Sequence, residues 1–252
     1  MNAGVLDGRV AVVTGGSRGL GKAIAKSLGS AGAKVALVSR DRNALTAAAM
    51  EIRGTGTEVD IFPADITDEY EVRRVEHDVL ARFGHVDILV NNAGMNVRKP
   101  MDEFSLEEWN SVLATNLTGA FLMCRSFVPQ MKGRGYGRII NLTSTMSHVS
   151  IPGRSAYSAS KAGLLGFTKA LALELAAEGI TVVAISPGPF ATEMNAAWIQ
   201  DPNMNRQFVS RIPVGRWGNA EEIGELACYL CSPKAGFVTG TDILIDGGWT
   251  AQ

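Results

Sequence analysis

Residues 9–32, RVAVVTGGSRGLGKAIAKSLGSAG, join a short apolar run to a helix-like segment through a glycine-rich turn. The run before the turn is typical of a buried strand, and the segment after it has helical spacing that ends at Gly32. Gly15, Gly19 and Gly21 allow a tight turn and a close approach of the backbone to a ligand. A helix that begins at such a turn offers free N–H groups and a partial positive charge, which suit a pyrophosphate. The spacing G-x-x-x-G-x-G differs from the G-x-G-x-x-G fingerprint, so the strand–helix context carries the prediction of a dinucleotide site.

The same alternation of apolar runs and helix-like segments continues along the whole chain. Strands are predicted at 9–14, 34–39, 58–64, 86–91, 137–144, 180–186 and 241–246. Strands separated by helices require parallel crossovers, and continuous apolar runs are typical of a sheet covered on both faces. The sequence therefore predicts a single doubly wound, Rossmann-type α/β domain over residues 1–252, with a seven-stranded parallel sheet and helices on both faces. Residues 188–219 lack a clear pattern, and their length predicts a variable, functional loop region.

The composition of the chain is balanced. The 252 residues are 46% hydrophobic, enough for a sizeable core, and 24 Lys and Arg face 25 Asp and Glu. We therefore expect neither a nucleic acid nor a membrane as a partner. The sequence has no secretory signal and no run of about 18 apolar residues, so we expect a cytoplasmic protein.

The cysteines Cys124, Cys228 and Cys231 form an odd set, which fits a reducing compartment. Cys228 and Cys231 have the C-x-x-C spacing of redox and metal sites. They lie in an apolar helical pattern, however, and the sequence offers no second pair of ligands beside them. We expect both thiols to pack in the core and expect no metal site.

The end of the second strand bears on the choice between NAD and NADP. A carboxylate there would bind the ribose 2′-hydroxyl of NAD, but this strand ends with Ser39 and Arg40. Arg18 lies in the glycine turn, and two arginines near the ribose favour a 2′-phosphate and hence NADP. The alternative is that Arg40 is a surface cation, and the neighbouring Asp41 keeps NAD possible.

The stretch AYSASKAG, residues 156–163, places Tyr157 and Lys161 one helical turn apart, on one face of a helix. A free phenol titrates at about 10, and a nearby cation lowers that value by favouring the phenolate. Tyr157 is therefore a candidate to exchange a proton with an alcohol or a carbonyl. The alternative is a chance surface pair. Ser144 argues against it, because this hydroxyl ends a strand at the edge of the sheet where ligands bind.

Together these motifs resemble the short-chain dehydrogenases/reductases over essentially the whole chain. The matching segments are TGGSRGLG (14–21), Asp65, NNAG (91–94), Asn116, Ser144, Tyr157 with Lys161, SPGP (186–189) and VTGTDILIDGGW (238–249). The resemblance implies an oxidoreductase that interconverts a secondary alcohol and a ketone by hydride transfer. It implies that Tyr157 carries the proton, Lys161 tunes Tyr157 and Ser144 positions the substrate. Asn116 is implied to fix a water that relays protons through Lys161; the alternative for it is a helix-stabilising amide.

The resemblance also implies a cofactor site, a small-molecule carbonyl or alcohol substrate, and a homotetramer formed through helices around 105–132 and 155–178. Asp65 and Ile66 are implied to lie by the adenine, with other contacts along the channel and at the nicotinamide end. The full set of implied cofactor contacts is Gly15, Ser17, Arg18, Gly19, Leu20, Gly21, Ser39, Arg40, Asp65, Ile66, Asn92, Ala93, Gly94, Tyr157, Lys161, Pro187, Gly188, Phe190 and Thr192.

Three segments resemble the gluconate 5-dehydrogenase branch of that family: NVRKP (96–100), GRWG (215–218) and DGGW (246–249). A sugar acid carries a carboxylate and several hydroxyls, so its pocket needs a cation and polar donors. The candidate substrate residues, besides Ser144 and Tyr157, are Arg98, His148, Arg154, Met194 and Trp198. Each cation is alternatively a solvated loop residue, and Met194, Trp198 and Phe190 alternatively form an apolar lid over a simple ketone.

Other functions stay open at this point. A 3-oxoacyl-carrier-protein reductase or a broad carbonyl reductase would use the same motifs, although Glu178 stands where carrier-protein reductases are often basic. A non-enzymatic NADP-binding regulator is the remaining alternative. The complete Ser–Tyr–Lys set argues against it.

Overall fold

In the computed structural model, which describes residues 4–252 apart from the side chain of Met194, seven strands form one sheet. They are β1 (Val10–Thr14), β2 (Lys34–Ser39), β3 (Val59–Pro63), β4 (Ile88–Asn91), β5 (Gly137–Leu142), β6 (Ile180–Pro187) and β7 (Asp242–Ile245). All neighbours pair in parallel, in the order β3-β2-β1-β4-β5-β6-β7, which confirms the predicted fold class. The predicted substrate contact of Met194 concerns a side chain outside the described residues.

The strand order creates a crevice at the carboxyl edge of the sheet. The chain moves outward from β1 to β3 and then returns to place β4 on the other side of β1, with Val13 opposite Val90. The connections that leave β1 and β4 therefore run in opposite directions. Ligands of open α/β sheets bind at this reversal point, beyond the carboxyl ends of the two strands.

Helices cover both faces of the sheet because alternate residues of each strand point to opposite sides. The helices of the described chain are α1 (Gly19–Ser30), α2 (Arg42–Arg53), α3 (Glu69–Phe83), α4 (Leu106–Leu113), α5 (Gly119–Met131), α6 (Ser155–Leu175), α7 (Ala196–Gln200), α8 (Pro202–Val209) and α9 (Ala220–Cys231). Val13 and Leu37 pack in one core with residues of α1, α2 and α9. Val12 and Val38 pack in a second core with residues of α3, α5 and α6. Both faces are buried, which explains the continuous apolar strands.

The helices α4 and α5 form one continuous helix through a π-helical turn at Ala114–Thr118. Its 26 residues, Leu106–Met131, are long and apolar enough to cross a membrane by length and composition alone. Half of its apolar 18-residue window is buried inside the fold, and Met123 and Phe127 are fully buried in the core with residues of α3 and α6. These contacts are typical of the core helix of a globular domain.

The unpatterned region 188–219 is built around two short helices, α7 and α8. Three aromatic rings of this region pack with Trp249, which follows β7, and the four form what we call the aromatic cluster: Trp198, Phe208, Trp217 and Trp249. Phe208 is at its centre, stacked on Trp217 with ring centres 4.7 Å apart and packed edge-on against Trp198 at 5.3 Å. The region is thus ordered by ring packing, which leaves no periodic signal in the sequence.

The cysteines lie in the cores. Cys124 and Cys231 are buried, and Cys228 is partly buried against the core that contains Cys231. Burial raises the pKa of all three thiols, so these cysteines behave as small apolar side chains.

Candidate active site

The glycine turn between β1 and α1 needs glycine at defined positions. Gly15 and Gly19 have positive φ angles of 62° and 54°, which other residues disfavour. A Cβ atom at Gly21 would overlap the carbonyl of Gly15 and the side-chain amide of Asn92. Within the described chain no side chain caps the N-terminus of α1. Free N–H groups over a cradle without side chains fit a pyrophosphate.

Hydrogen bonds join the carboxyl ends of β1 and β4. The Asn92 amide donates to the carbonyl oxygens of Thr14 at 2.9 Å and Gly15 at 3.2 Å. The Thr14 hydroxyl accepts from the backbone N–H groups of Asn92 and Ala93. The side chain of Asn92 therefore shapes the glycine turn, and its direct contact with a cofactor stays a prediction.

A cleft of about 350 Å³ lies beyond the carboxyl ends of β2 and β3. Arg40, Arg42 and Arg74 line it, together with Asp65 and Glu71. Arg40 is 75% exposed and its Nη1 lies 3.7 Å from Asp65 Oδ2. Three guanidiniums outweigh two carboxylates here, and guanidinium groups suit a phosphate monoester. The cleft is therefore a fitting place for the 2′-phosphate of NADP.

Sequence reasoning found Arg40 but not its two neighbours in the cleft. Arg42 begins α2 two residues after Arg40, and the sequence RDR at 40–42 could have indicated it as a second cation at this site. Arg74 comes from α3, where it donates to the carbonyl oxygen of Pro63 at 2.9 Å, and no local pattern connects it with Arg40. Arg18, the other predicted phosphate ligand, is not among the residues that line this cleft; its Nη1 lies 3.9 Å from Glu193 Oε2, both side chains are exposed, and its contact with a phosphate stays a prediction.

The remaining predicted residues at the adenine end are held in place by their neighbours. The hydroxyls of Ser17 and Ser39 are 3.3 Å apart and link the glycine turn to β2. The Asp65 carboxylate accepts from the backbone and hydroxyl of Thr67. Ile66 is buried, and a Cβ atom at Gly119 would lie 2.7 Å from it, so the π-helical turn and α5 pack directly behind this edge.

The structure brings Ser144 and Tyr157 together at the carboxyl end of β5. Ser144 is 7% exposed, and its Oγ accepts a hydrogen bond from the backbone N–H of Met146 at 3.1 Å. Tyr157 lies in the first turn of α6. Burial raises the pKa of the Tyr157 phenol, while the nearby Ser144 hydroxyl and the charges of Arg154 and Arg98 act in the opposite direction. The two hydroxyls therefore lie close to each other, and their shared contact with a substrate oxygen stays a prediction.

Lys161 is 3% exposed, and its ammonium donates a hydrogen bond to the carbonyl oxygen of Leu142 at the end of β5. Burial lowers the pKa of Lys161 to about 8. Its Nζ lies 5.7 Å from the centre of the Tyr157 ring. The sequence predicted that Lys161 places its charge near the Tyr157 oxygen, directly or across a ribose, and this role stays a prediction. In the structure the ammonium binds the strand carbonyl, and the charges of Arg154 and Arg98 also act on Tyr157.

Asn116 is buried in the π-helical turn and clamps the loop that follows β4. Its Oδ1 accepts from the N–H of Met95 at 2.8 Å, and its Nδ2 donates to the Met95 carbonyl and to Ser160 Oγ. A Cβ atom at Gly94 would lie 3.2 Å from Asn116 Oδ1 and 3.6 Å from Lys161 Nζ. Gly94 therefore lets the two side chains approach each other, whereas the water relay through Asn116 stays a prediction.

Arg98 and Arg154 reach Tyr157 from two different segments, the loop after β4 and the residue before α6. Burial and the charge of Arg98 lower the pKa of Arg154, so the two guanidiniums repel each other. Arg98 also lies 6.0 Å from the centre of the Trp198 ring, within range of a cation–π contact. The structure thus brings Arg98 and Arg154 close to the phenol and Trp198 close to Arg98, and the sequence grouped these three as candidate substrate residues.

His148 is bound to a residue that the sequence did not single out. Its Nε2 lies 2.5 Å from Oδ2 of Asp242, which begins β7 and is 94 positions away in the chain. That distance in sequence is why no local signal indicated the pair. The predicted place of His148 beside the substrate stays a prediction.

The segment after β6 closes the site from the other side. A Cβ atom at Gly188 would lie 2.5 Å from Asp246, so only glycine fits between β6 and the chain after β7. Thr192 lies 4.0 Å from the Cβ position of Gly19, so this segment reaches the glycine turn. The side chain of Phe190 is buried in the core against Gly218. It therefore lies beneath the surface rather than with Trp198 in an apolar lid.

Comparison with known proteins places this site in a large group of relatives. The sequence model of the family described as Enoyl-(Acyl carrier protein) reductase matches residues 15–250. A D-threitol dehydrogenase of Mycolicibacterium smegmatis is 39% identical, covering 98% of this chain and 95% of that protein. A 3-oxoacyl-[acyl-carrier-protein] reductase of Escherichia coli is 36% identical, covering 96% and 97%. The crystal structure of a gluconate 5-dehydrogenase from Burkholderia cenocepacia, in complex with NADP and tartrate, is 35% identical, covers 98% of this chain and 97% of that chain, and superimposes with a TM-score of 0.93.

Proposed function

The chain belongs to the short-chain dehydrogenase/reductase family of oxidoreductases that act on alcohols and ketones, and we propose that it interconverts a sugar acid and its keto form with NADP. Gluconate and 5-ketogluconate are the proposed pair. Oxidation removes a hydride from the carbinol carbon and a proton from its hydroxyl, and reduction returns both. When bound, NADP accepts or supplies the hydride.

The residues of this chain handle the proton and the position of the substrate oxygen. In the reducing direction the Tyr157 phenol donates its proton to the carbonyl oxygen as that oxygen gains charge. Ser144 Oγ donates a hydrogen bond to the same oxygen and holds it beside the phenol. Lys161, with a pKa of about 8, is suited to hold and pass a proton near neutral pH. We propose that Asn116 supports that relay.

One observation carries the choice of an anionic substrate. Arg98 and Arg154 both act on Tyr157 and repel each other, and no carboxylate within residues 4–252 forms a salt bridge with either. Arg98 is exposed and Arg154 is partly buried, so water reaches this pair of cations, and an anion that binds between them would relieve their repulsion. A carboxylate can accept from guanidinium groups in a two-pronged geometry. The B. cenocepacia relative, crystallised with the dicarboxylate tartrate, supports the same substrate class.

The test compares steady-state kinetics on gluconate, 5-ketogluconate, simple ketones and acyl thioesters with NADP(H). Arg98→Ala and Arg154→Ala should each raise KM for the sugar acid about tenfold or more, as for the loss of a hydrogen bond to a charged group. Arg73→Ala is the matched control, because Arg73 is an exposed arginine on α3 that pairs with Glu69. Inert sugar acids, or unchanged KM in both site variants, would refute the substrate while leaving the reductase assignment intact.

A 3-oxoacyl-carrier-protein reductase or broad carbonyl reductase is the second candidate. The E. coli relative favours it, and so does the apolar surface that the aromatic cluster offers near Arg98. Acyl thioesters or simple ketones used more efficiently than sugar acids in the same panel would select it. A non-enzymatic NADP-binding regulator would show no turnover on any member of the panel.

We also propose that the protein works as a cytoplasmic homotetramer. Large apolar side chains are exposed on the faces of the expected helices: Leu106 on α4, Phe121 on α5 and Leu173 on α6. A second exposed set, Phe237 and Leu244, lies at and before the edge strand β7. Exposed apolar residues on two faces fit contacts with other copies of the chain. Analytical ultracentrifugation should give the mass of four chains, and a monomer at micromolar concentration would exclude this assembly.

A further inference from the structure

A buried carboxylate, Asp242, lies next to the strand end that carries Ser144. Its side chain is 7% exposed, and three groups surround it: Ser186 Oγ at 2.7 Å, His148 Nε2 at 2.5 Å and Thr143 Oγ1 at 3.3 Å. These residues come from the loop after β5, the end of β6 and the start of β7. The sheet therefore assembles at one point a polar cluster whose members are distant in sequence. We call it the Asp242 cluster.

The cluster touches the backbone of Ser144 through a single hydroxyl. Ser186 Oγ lies 2.7 Å from Asp242 Oδ2 and 3.0 Å from the carbonyl oxygen of Ser144. Both of these oxygens accept only, and a hydroxyl has one hydrogen. Thr143 does not free Ser186 from this choice, because its own hydroxyl lies 2.8 Å from the carbonyl oxygen of Ile185. Thr143 Oγ1 is a third partner, 2.9 Å from Ser186 Oγ, and either hydroxyl can be the donor in that pair. Where Ser186 does not donate to Thr143, its hydrogen goes either to Asp242 or to Ser144.

His148 decides between these two arrangements. An ionised carboxylate only accepts, so His148 donates from Nε2 to the same Oδ2 atom that Ser186 reaches. With that donor present, part of the charge on Oδ2 is compensated, and Asp242 competes less strongly with the Ser144 carbonyl for the Ser186 hydrogen. Without it, the buried carboxylate takes the Ser186 hydrogen, since an unsatisfied buried charge is the costlier outcome.

We infer that Asp242 and His148 are positioning residues that act through Ser186 to hold the backbone of Ser144. This rests on the proposed role of Ser144 in holding the substrate oxygen. A shift of the Ser144 backbone moves its Oγ away from Tyr157, so turnover falls while the cofactor cleft near Arg40 is unaffected. The cluster is thus a support for the proton-transfer step rather than a contact with the substrate.

Substitutions of His148 and Ser186 test the inference on whichever carbonyl compound the unaltered enzyme turns over best. His148→Leu and Ser186→Ala should each lower kcat about tenfold, with KM for NADPH unchanged, as for the loss of one hydrogen bond to a charged group. His148→Gln should restore most of the activity, because its amide keeps an N–H donor for Asp242. The double variant with both His148→Leu and Ser186→Ala should have the same kcat as Ser186→Ala alone. Both changes remove the same hydrogen bond, from Ser186 Oγ to the Ser144 carbonyl, so their effects do not add.

The matched control is His77→Leu, which breaks a histidine–aspartate pair on the exposed surface of α3 and should leave kcat unchanged. Multiplicative losses in the double variant, or a His148→Leu variant with normal kcat, would overturn the inference. The temperature of the unfolding midpoint is measured for each variant as well. If a variant loses activity only because the fold is destabilised, this temperature falls, and His148→Gln does not restore the activity. Ser144→Ala separates the two hypotheses: if it leaves turnover unchanged, the proposed function of Ser144 fails. If Ser144→Ala abolishes turnover while the losses of His148→Leu and Ser186→Ala multiply in the double variant, the positioning inference alone fails.

Discussion

Replacing Arg40 with alanine should weaken the binding of NADP and leave the binding of NAD almost unchanged. The two cofactors differ only in the 2′-phosphate, and Arg40 lies with Arg42 and Arg74 in the cleft that fits this group. A hydrogen bond to a charged group contributes roughly 1.5–3 kcal/mol. The Arg40 side chain is 75% exposed, and its Nη1 lies 3.7 Å from Asp65 Oδ2. Water and this carboxylate screen the Arg40 charge, so the binding free energy lost in the variant should lie near the lower end of that range. A loss of about 1.4 kcal/mol is a tenfold rise in the Kd for NADP.

Isothermal titration calorimetry with both cofactors at two salt concentrations measures this effect. Exposed charge pairs are screened by salt, so the difference between the unaltered protein and the variant should shrink as salt rises. Arg73→Ala is the control, because Arg73 precedes Arg74 on α3 but pairs with Glu69 outside the cleft. Equal weakening of NAD and NADP would refute the argument, and so would an unaltered protein that binds the two cofactors equally well.

Three further predictions address the proton carrier, the buried lysine and the glycine turn. Tyr157→Phe should lower kcat by on the order of 10³ or more while NADPH still binds, since only the proton-carrying oxygen is lost; near-normal turnover would exclude Tyr157. The pKa of Lys161 is about 8 in the folded protein and 10.5 in the unfolded chain, so the unfolded state holds this proton more tightly across that range. The free energy of unfolding should therefore rise with pH between these values, and urea denaturation of Lys161→Met should lack that rise. Gly21→Ala should raise the Kd for NADP about tenfold or more, because its Cβ overlaps the Gly15 carbonyl. Gly166→Ala is the control, since a Cβ atom there has open space around it and NADP should bind normally. Equal affinities of the two variants for NADP would contradict this steric argument.

The regular parts of the fold were predictable from the chain alone because their causes are local. A buried strand needs apolar side chains on consecutive residues, and a tight turn needs glycine at Gly15 and Gly19. The four-residue spacing likewise placed Tyr157 and Lys161 in α6. Each of these features depends on residues within a few positions of one another.

The internal contacts of the site depended on tertiary structure. Arg74 joins Arg40 because α3 packs beside the ends of β2 and β3, and Phe208 joins Trp198 because the region 188–219 folds on itself. No periodic pattern in the sequence connects such residues. The length of the intervening chain sets how far apart they are in sequence, whereas the order of the strands sets how far apart they are in space.

The sequence by itself determined the element pattern, the glycine turn and the candidate residues Ser144, Tyr157 and Lys161. Tertiary structure decided which charges act on them. Helical spacing placed Lys161 on the face of Tyr157. The fold adds the Leu142 carbonyl as a partner of its ammonium, and it adds the charges of Arg98 and Arg154, which oppose the rise in the pKa of Tyr157 that burial causes. Asp242 reaches the Ser144 strand across β6. The physical reason is that periodicity and turn sterics are short-range along the chain, whereas electrostatic and hydrogen-bond partners depend on distance in space, which the parallel crossovers set.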